Sequence, residues 1–316
     1  MTQIEKKTVD IRAERSRRQP LLRKPAWLRS QIPAGENFAA IKERLHSGGL
    51  HTVCEEARCP NLGECWSGGT ATFMVMGDVC TRGCRFCAVK TGKHGVVLDQ
   101  DEPRKVAESA QAMKLDYVVI TSVDRDDLPD GGADHFAKVI REVFALSQDR
   151  IMVEVLTPDF QGDLAAIELV AAAQPTVFAH NIETVRRLTR RIRDARCNYD
   201  QSLQVLAHVK KVQPRIVTKS ALMLGLGEQD DEIYQSMDDL LAAGVEILTI
   251  GQYLQPTLKH LAVESFVPPE KFDAFAEEGR KRGFAFVAAG PMVRSSYRAG
   301  ELFIQHLVRE RKATQA

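Results

Sequence analysis

The sequence predicts an α/β fold: a partial (β/α)6 barrel of the TIM type, preceded by an N-terminal arm and followed by a C-terminal extension. Three observations carry that expectation. From residue 70 onward, short β-branched runs alternate with stretches of helical period. The runs are hydrophobic on both faces, as strands of a parallel sheet under crossover helices must be. The turn after the first run holds cysteines, where the competing doubly wound sheet carries a Gly-rich nucleotide turn.

Residues 1 to about 50 read as an extended, partly helical arm, in which "ENFAAIKERLHSGGLHT" offers one short helix closed by Gly48 and Gly49. Strand-like runs follow at 72–77, 117–122, 151–157, 176–183, 216–225 and 246–254. Helical stretches lie after them at 103–115, 132–147, 163–173, 201–212, 230–243 and 269–282. A seventh strand-like run, "FAFVAAGP", occupies 284–291. No linker or low-complexity segment interrupts the series. The expected division is an arm over 1–69, a barrel over 70–283 and an extension over 284–316.

Hydrophobic residues make up 44% and charged residues 27%, ordinary values for a globular protein, and a net charge of +1 offers no global pull toward nucleic acid or membrane. No run approaches the roughly 18 apolar residues of a membrane span. The first residues lack an apolar secretory core and mix acids among their bases, so a reducing cytoplasm is expected. In that compartment clustered cysteines serve as metal ligands rather than disulfides.

Six of the seven cysteines fall between Cys54 and Cys87, as two triplets. Cys80, Cys84 and Cys87 form C-x3-C-x2-C just past the first strand, where parallel α/β folds place active-site loops. Zinc ribbons use paired C-x2-C units, so zinc suits this spacing badly. Three thiolates on one loop hold three irons of a [4Fe–4S] cluster and leave the fourth open to a ligand. The other triplet, Cys54-x4-Cys59-x5-Cys65, precedes the barrel and suits a second cluster bound by the arm. Its fourth ligand must come from elsewhere. On composition the candidates are Cys197, the remaining thiol, and His51.

C-x3-C-x2-C with Phe86 before its last cysteine resembles the signature of the radical S-adenosylmethionine (SAM) superfamily, whose fold is a partial or full (β/α) barrel. Longer stretches narrow the resemblance. "CEEARCPNLGECW" followed by "GDVCTRGCRFCAVKTG", with "KPAWLR", "TSVDRDDLPDGGA", "HNIETV", "GQYLQPT" and "GPMVRSSYRAG", is similar to the lipoyl synthase family from Lys24 to about Gly300. The resemblance implies two [4Fe–4S] clusters and SAM as co-substrate. It implies that the fourth ligand of the arm cluster is a serine of the Arg294–Tyr297 motif, carried here to Ser296 with Ser295 as fallback. Cys197 then has no family role.

The implied reaction is insertion of sulfur at C6 and C8 of an octanoyl chain amide-linked to a carrier lysine. Those C–H bonds are beyond any side-chain base, so a cofactor-derived radical must open them. The implied substrates are the octanoylated lipoyl domains of 2-oxoacid dehydrogenases and the glycine cleavage H protein. An electron donor of flavodoxin or ferredoxin type and an Fe–S carrier that rebuilds the consumed cluster complete the expected partners. Neither nucleic acid nor membrane is among them.

Weaker signals have two readings each. Gly225 and Gly227 in "LMLGLGE" are SAM-binding turn residues or a plain tight turn. Asn181 and Glu183, at the end of the fourth strand, hydrogen-bond SAM, or Asn181 caps a helix. In "VDRDDLPDGG" the aspartates are caps and turns, or Asp124 or Arg125 reaches the site. Lys219 and Gln252 read equally as satisfied core polar groups. The six arginines of "RRLTRRIRDAR" are a solvated helix face or a docking patch for an acidic carrier. Rival functions are another sulfur-inserting radical enzyme, an Fe–S electron carrier and a zinc nucleic-acid module. A carrier would cap both clusters with four protein ligands, and a nucleic-acid module would bring a basic face.

Overall fold

The computed structural model describes residues 22–28, 36–57, 59, 61–67, 72–296 and 304. Its strands are β1 (His51–Thr52), β2 (Thr72–Val75), β3 (Val79–Cys80), β4 (Lys90–Thr91), β5 (Tyr117–Ser122), β6 (Met152–Leu156), β7 (Val177–Ala179), β8 (Val217–Leu224), β9 (Ile247–Gln252) and β10 (Phe286–Gly290). One sheet runs β1-β2-β5-β6-β7-β8-β9-β10, and β3 pairs with β4 apart from it. From β2 to β10 every pairing in the large sheet is parallel. Helices Glu102–Ala112, Ala133–Ser147, Leu164–Ala172, Tyr199–Val212, Asp230–Ala242 and Pro269–Arg282 follow β2, β5, β6, β7, β8 and β9 in turn. That is six β/α units and a seventh strand, a partial barrel.

Alternation along the strands sets what the interior contains. Leu222 and Leu224 of β8 and Leu248 and Ile250 of β9 pack outward against the helices. On the opposite face Tyr117, Val119, Val177, Val217 and Ile247 form a separate apolar layer with Ile304 from the C-terminal segment. One step up the strands, Lys219 and Glu154 make a buried ion pair at 2.7 Å, which the Tyr117 hydroxyl joins. Another step up, Thr121, Leu156, Ala221, Met223, Thr249 and Gly251 line an open cavity. The inward face is thus apolar at the bottom, ionic in the middle and open at the strands' C-terminal ends. Lys219→Met leaves Glu154 charged and unpaired in the interior and is expected to cost about 3–5 kcal/mol. Denaturant unfolding checks this, and adding Glu154→Leu is expected to restore most of the loss.

Three boundaries differ from the sequence expectation. The first run stops at Val75, because Met76 (φ 68°) and Gly77 (φ 85°) turn the chain left-handed into the cysteine loop. The fourth stops at Ala179 rather than 183, since Ile182 N is diverted to the Ser220 hydroxyl. Glu183 keeps only a single parallel bridge to Leu222. The extension expected from 284 begins inside the sheet: β10 pairs in parallel with β9, and Phe284 and Val287 share its core.

The arm is joined to the barrel. β1 runs antiparallel to β2, and Ile41, Leu45, Leu50, Cys54 and Trp66 enter the same core as Phe73 and Met74. Helix Glu36–Ser47 ends at the expected glycines, with Gly49 at φ 63°.

Candidate functional site

The loop after β2 closes on itself. Cys80 on β3 pairs with Thr91 on β4, Gly92 N donates to Cys80 O, and Cys87 N donates to Cys84 O. All three cysteines and Phe86 face a cavity of about 490 Å³ at the C-terminal end of the barrel strands. Arg82, 2% exposed, anchors this loop from below. Its guanidinium reaches Asp126 at 2.8 Å, Asp159 at 2.6 Å and Asp124 at 3.3 Å. Burial alone would lower its pKa, but the carboxylates of Asp126 and Asp159 overcome that and hold it charged.

The aspartate-rich loop therefore divides its labour. Asp130 accepts from Gly132 N and Asp134 N at the start of a helix, a cap as expected. Asp127 ties Arg125 and Gly95 N. Asp124 reaches the site, with Cys80 Sγ 3.5 Å from its Oδ2. Arg125 does not: it lies in the core and donates to Met76 O.

A second clamp comes from residues 192–197. Asp194 Oδ2 accepts from Gly83 N, Asp194 N donates to Cys84 Sγ, and Arg196 donates to Thr81 O. Cys197 follows this clamp to the second triplet and lies by Cys84, with Arg82 Nη1 3.4 Å from its sulfur. Geometry thus removes it as fourth ligand of the first triplet. His51 faces Glu56 and Asp78 and lines neither cysteine cavity.

Cys54, Cys59 and Cys65 converge on a small cavity beside the large one, with Asn61, Thr72, Arg294 and Ser296. Cys59, Arg294 and Ser296 line both cavities, whereas Ser295 lines only the large one. The segment carrying these serines folds over the end of β9. Any side chain at Gly251 would collide with Val293 O, 2.1 Å from an added Cβ, so the close approach requires glycine.

Burial pushes the Cys54 and Cys87 thiols up to about 11 and that of Cys80 to about 12, and raises Cys59 as well. The Cys84 thiol is raised first by its hydrogen bond to Cys197 and then by burial. Such thiols stay protonated and inert unless a cation draws the proton off. The sulfurs of each triplet are set wider than the ligands of one zinc ion, and such groups of three soft donors fit iron–sulfur clusters better than zinc.

Asn181 and Glu183 both face the large cavity, with Asn181 Nδ2 donating to Glu183 Oε1 at 3.0 Å, so Asn181 is no helix cap. Glu183 sits at φ 67°, a strained conformation for a non-glycine residue, and burial raises its pKa. Gly225 and Gly227 are not brought there. Their φ angles of 104° and 102° serve a tight turn packed on Gln252 and Glu264, and Glu228 accepts from the Gly225 and Leu226 amides. Gln252 is fully bonded, donating to Leu224 O, Tyr253 O and Ser265 O. Five of the six arginines in the run are engaged, and Arg190 is exposed. Arg186, Arg187, Arg191, Arg193 and Arg196 are bonded to Asp200, Glu232, Glu264, Ser202 and Asp194.

Sequence reasoning passed over His180, which lines the large cavity, buried. Its Nδ1 donates to Thr157 O at 2.9 Å, so its Nε2 accepts from the Ser202 hydroxyl, itself bonded by Arg193. Burial, then the Arg193 charge, lowers its pKa from 6.5 to about 4. Between those values the unfolded chain binds the extra proton. Stability is therefore fully present above about pH 6.5 and is lost toward pH 4, by about 3 kcal/mol from this group. Anaerobic unfolding at pH 5 and pH 7.5 is expected to show a smaller pH difference in His180→Asn than in the unsubstituted chain.

A partial parallel barrel, with a three-cysteine loop at the strand ends and a strained acid facing it across one cavity, defines a radical SAM enzyme. Family models agree: residues 74–240 match the Radical SAM superfamily, and residues 2–59 match the N-terminal domain of lipoyl synthase. The chain is 59% identical over 283 residues to the lipoyl synthase of Anaeromyxobacter sp. (strain Fw109-5), covering 90% of this chain and 96% of that one. It is 55% identical over 303 residues to that of Thermus thermophilus, covering 96% and 94%. Against the mitochondrial lipoyl synthase of Homo sapiens it is 54% identical over 296 residues, covering 92% and 79%. Among solved structures, the FeFe-hydrogenase maturase HydG from Carboxydothermus hydrogenoformans shares the fold with a TM-score of 0.51 at 13% identity, covering 87% of this chain and 78% of that one. The chain belongs to the lipoyl synthase family. It is accordingly a radical SAM sulfurtransferase that uses an iron–sulfur cluster and SAM and acts on an octanoylated protein. No helix among the described residues is long and apolar enough to cross a membrane.

Proposed function

We propose that this chain converts N6-octanoyl-lysine of a carrier domain to lipoyl-lysine with two [4Fe–4S] clusters of opposite fate. The observation that carries this reading is the pair of adjoining cysteine cavities, each walled by its own triplet and sharing Cys59, Arg294 and Ser296. Cys80, Cys84 and Cys87 hold the cluster that meets SAM, and Cys54, Cys59, Cys65 and Ser296 hold the auxiliary one. The cofactors supply the radical that opens an unactivated C–H bond and the sulfur that replaces the hydrogen.

The chain's own residues do the rest. Arg82 and Asp194 fix the backbone of the cluster loop from two sides, so that its three thiols are held at the mouth of the cavity. Asn181 and Glu183 offer an amide and a carboxylate to the polar end of SAM, and Phe86 lines the same cavity. Met74, Val123, Leu156 and Met223 give the octanoyl chain an apolar wall that excludes water from a radical. A serine oxygen is a harder ligand than thiolate, which suits a cluster that must come apart. Gly225 and Gly227 shape the turn after β8 that packs on Gln252 in the cavity wall. The arm through residue 69 carries the auxiliary ligands, the barrel runs on through β10 to residue 290, and the segment beyond supplies the serine.

The carriers are the lipoyl domains of 2-oxoacid dehydrogenases and the glycine cleavage H protein in the cytoplasm. A flavodoxin or ferredoxin supplies electrons, and an Fe–S carrier rebuilds the spent cluster. Anaerobic reconstitution tests this reading. About eight irons per chain, with 5′-deoxyadenosine and a 6,8-dithiolated octanoyl-lysine peptide by mass spectrometry, is the expected result. Four irons or fewer without SAM cleavage would sink it.

A further inference from the structure

The segment that carries Ser296 is latched to the N-terminal arm by the side chain of Asn61. This residue is 1% exposed, and its Nδ2 donates to Met292 O at 2.6 Å across 231 positions of sequence. Its backbone N–H also donates to the sulfur of Cys59. The same side chain lines the small cavity with all three cysteines of the first triplet and Ser296.

Because Nδ2 is committed to a carbonyl, the orientation of the amide is fixed and Oδ1 points the other way. That oxygen is buried and has no hydrogen-bond partner among the described residues. No other side chain lining the small cavity has a buried, unpartnered oxygen or nitrogen. A native fold rarely strands an acceptor unless something else supplies the donor. Thr72, the other hydroxyl on that wall, hydrogen-bonds Cys54.

We infer that Asn61 is the positioning residue for Ser296: its Nδ2 bond fixes the 290–296 segment over the arm, and its Oδ1, unpartnered in this arrangement, is the acceptor to which the serine hydroxyl moves on leaving iron. The inference rests on Ser296 being the fourth ligand of the auxiliary cluster. A serine on iron has given up its proton, while a serine off iron carries one and needs an acceptor. Asn61 therefore brings the oxygen to the fourth corner and also gives it somewhere else to go. The weakest bond of the cluster has its hold set by an amide that touches no iron itself.

The test uses full-length reconstituted protein as Asn61→Ala, the isosteric Asn61→Asp, and Asn61→Ala combined with Ser296→Cys. One readout is the rate at which ferrous iron passes to a coloured chelator. The other is the electron paramagnetic resonance signal of a three-iron cluster. The spectral response of the SAM-site cluster to added SAM reports whether the barrel has folded. Both single variants are expected to release one iron per chain about tenfold faster, the weight of one buried hydrogen bond, with the SAM-site response unchanged. Ser296→Cys is expected to cancel the effect, because a thiolate holds iron without the latch. Should Asn61→Ala fail to fold, the isosteric Asn61→Asp carries the test. Wild-type release rates, or equal loss from both clusters, would overturn the inference. Only four irons in the unsubstituted chain would remove the ligand assignment beneath it.

Discussion

Reductive cleavage of SAM is expected to collapse in a Cys84→Ala variant, by roughly a thousandfold or more, about 4 kcal/mol of barrier. Cys84 is tied to the rest of the fold by three contacts. Asp194 N donates to its sulfur, Cys197 hydrogen-bonds it, and the Cys84 carbonyl accepts from Cys87 N. Removing the thiol leaves two cysteines, and two do not hold a site-differentiated cluster. Cys197 lies close enough to raise the question of substitution. Its sulfur already takes the Arg82 guanidinium, and its loop is pinned by Asp194 to Gly83. Rescue would require that clamp to open. The measurement is 5′-deoxyadenosine formed per minute under dithionite, with iron content expected to fall by about four per chain. A variant that still cleaves SAM at more than a few per cent of the original rate would show Cys197 standing in.

The second large effect separates the two sites. Cys65 lines only the small cavity, apart from the SAM-facing triplet. Cys65→Ala is expected to abolish sulfur transfer, to below roughly a hundredth of the original rate, while SAM cleavage stays within a few-fold. The physical reason is that each cavity has its own anchoring. Arg82, Asp124 and Asp194 hold the one, and the packing of Cys54 and Trp66 on β2 holds the other. Mass spectrometry of an octanoyl-lysine peptide, with 5′-deoxyadenosine counted in the same sample, reads both quantities. Equal loss of both would mean that the sites are not independent. Cys59 is the poorer choice for this experiment, because it borders both cavities.

Much of this was legible from the chain because its signals are local. The spacing of Cys80, Cys84 and Cys87 fixes a loop whatever surrounds it. The β-branched runs that became β5 and β9 need only period and composition to declare themselves. What the sequence hid were long-range partners. Nothing in "CTRGC" says that Arg82 will be shared by Asp124, Asp126 and Asp159 from two other strand ends. Likewise, "RRLTRRIRDAR" gives no sign that its arginines will be spent on Asp200, Glu232 and Glu264. Gly225 and Gly227 read two ways in the sequence, for the opposite reason. A left-handed turn after a strand looks the same whether it cradles a ligand or merely clears a neighbouring glutamine. Asn61 and His180 had no local signal at all, since each matters through a bond to a residue that period and spacing do not connect to it.

The shared wall of the two cavities has a consequence for how the protein is made. Most of what shapes the cysteine loop of the large cavity, from Cys80 through Asp159 to Cys197, precedes β8, and the last of it, His260 on Cys87 O and Leu261 N on Arg85 O, follows β9. The first triplet emerges earlier still, yet its cavity cannot close until Arg294 and Ser296 arrive more than 200 residues later. Domains take shape in the order in which they emerge. The nascent chain therefore completes the cysteine loop of the large cavity before the wall that closes the small one. The unfinished thiols of the arm wait through most of translation, until the segment with Arg294 and Ser296 makes their cavity whole.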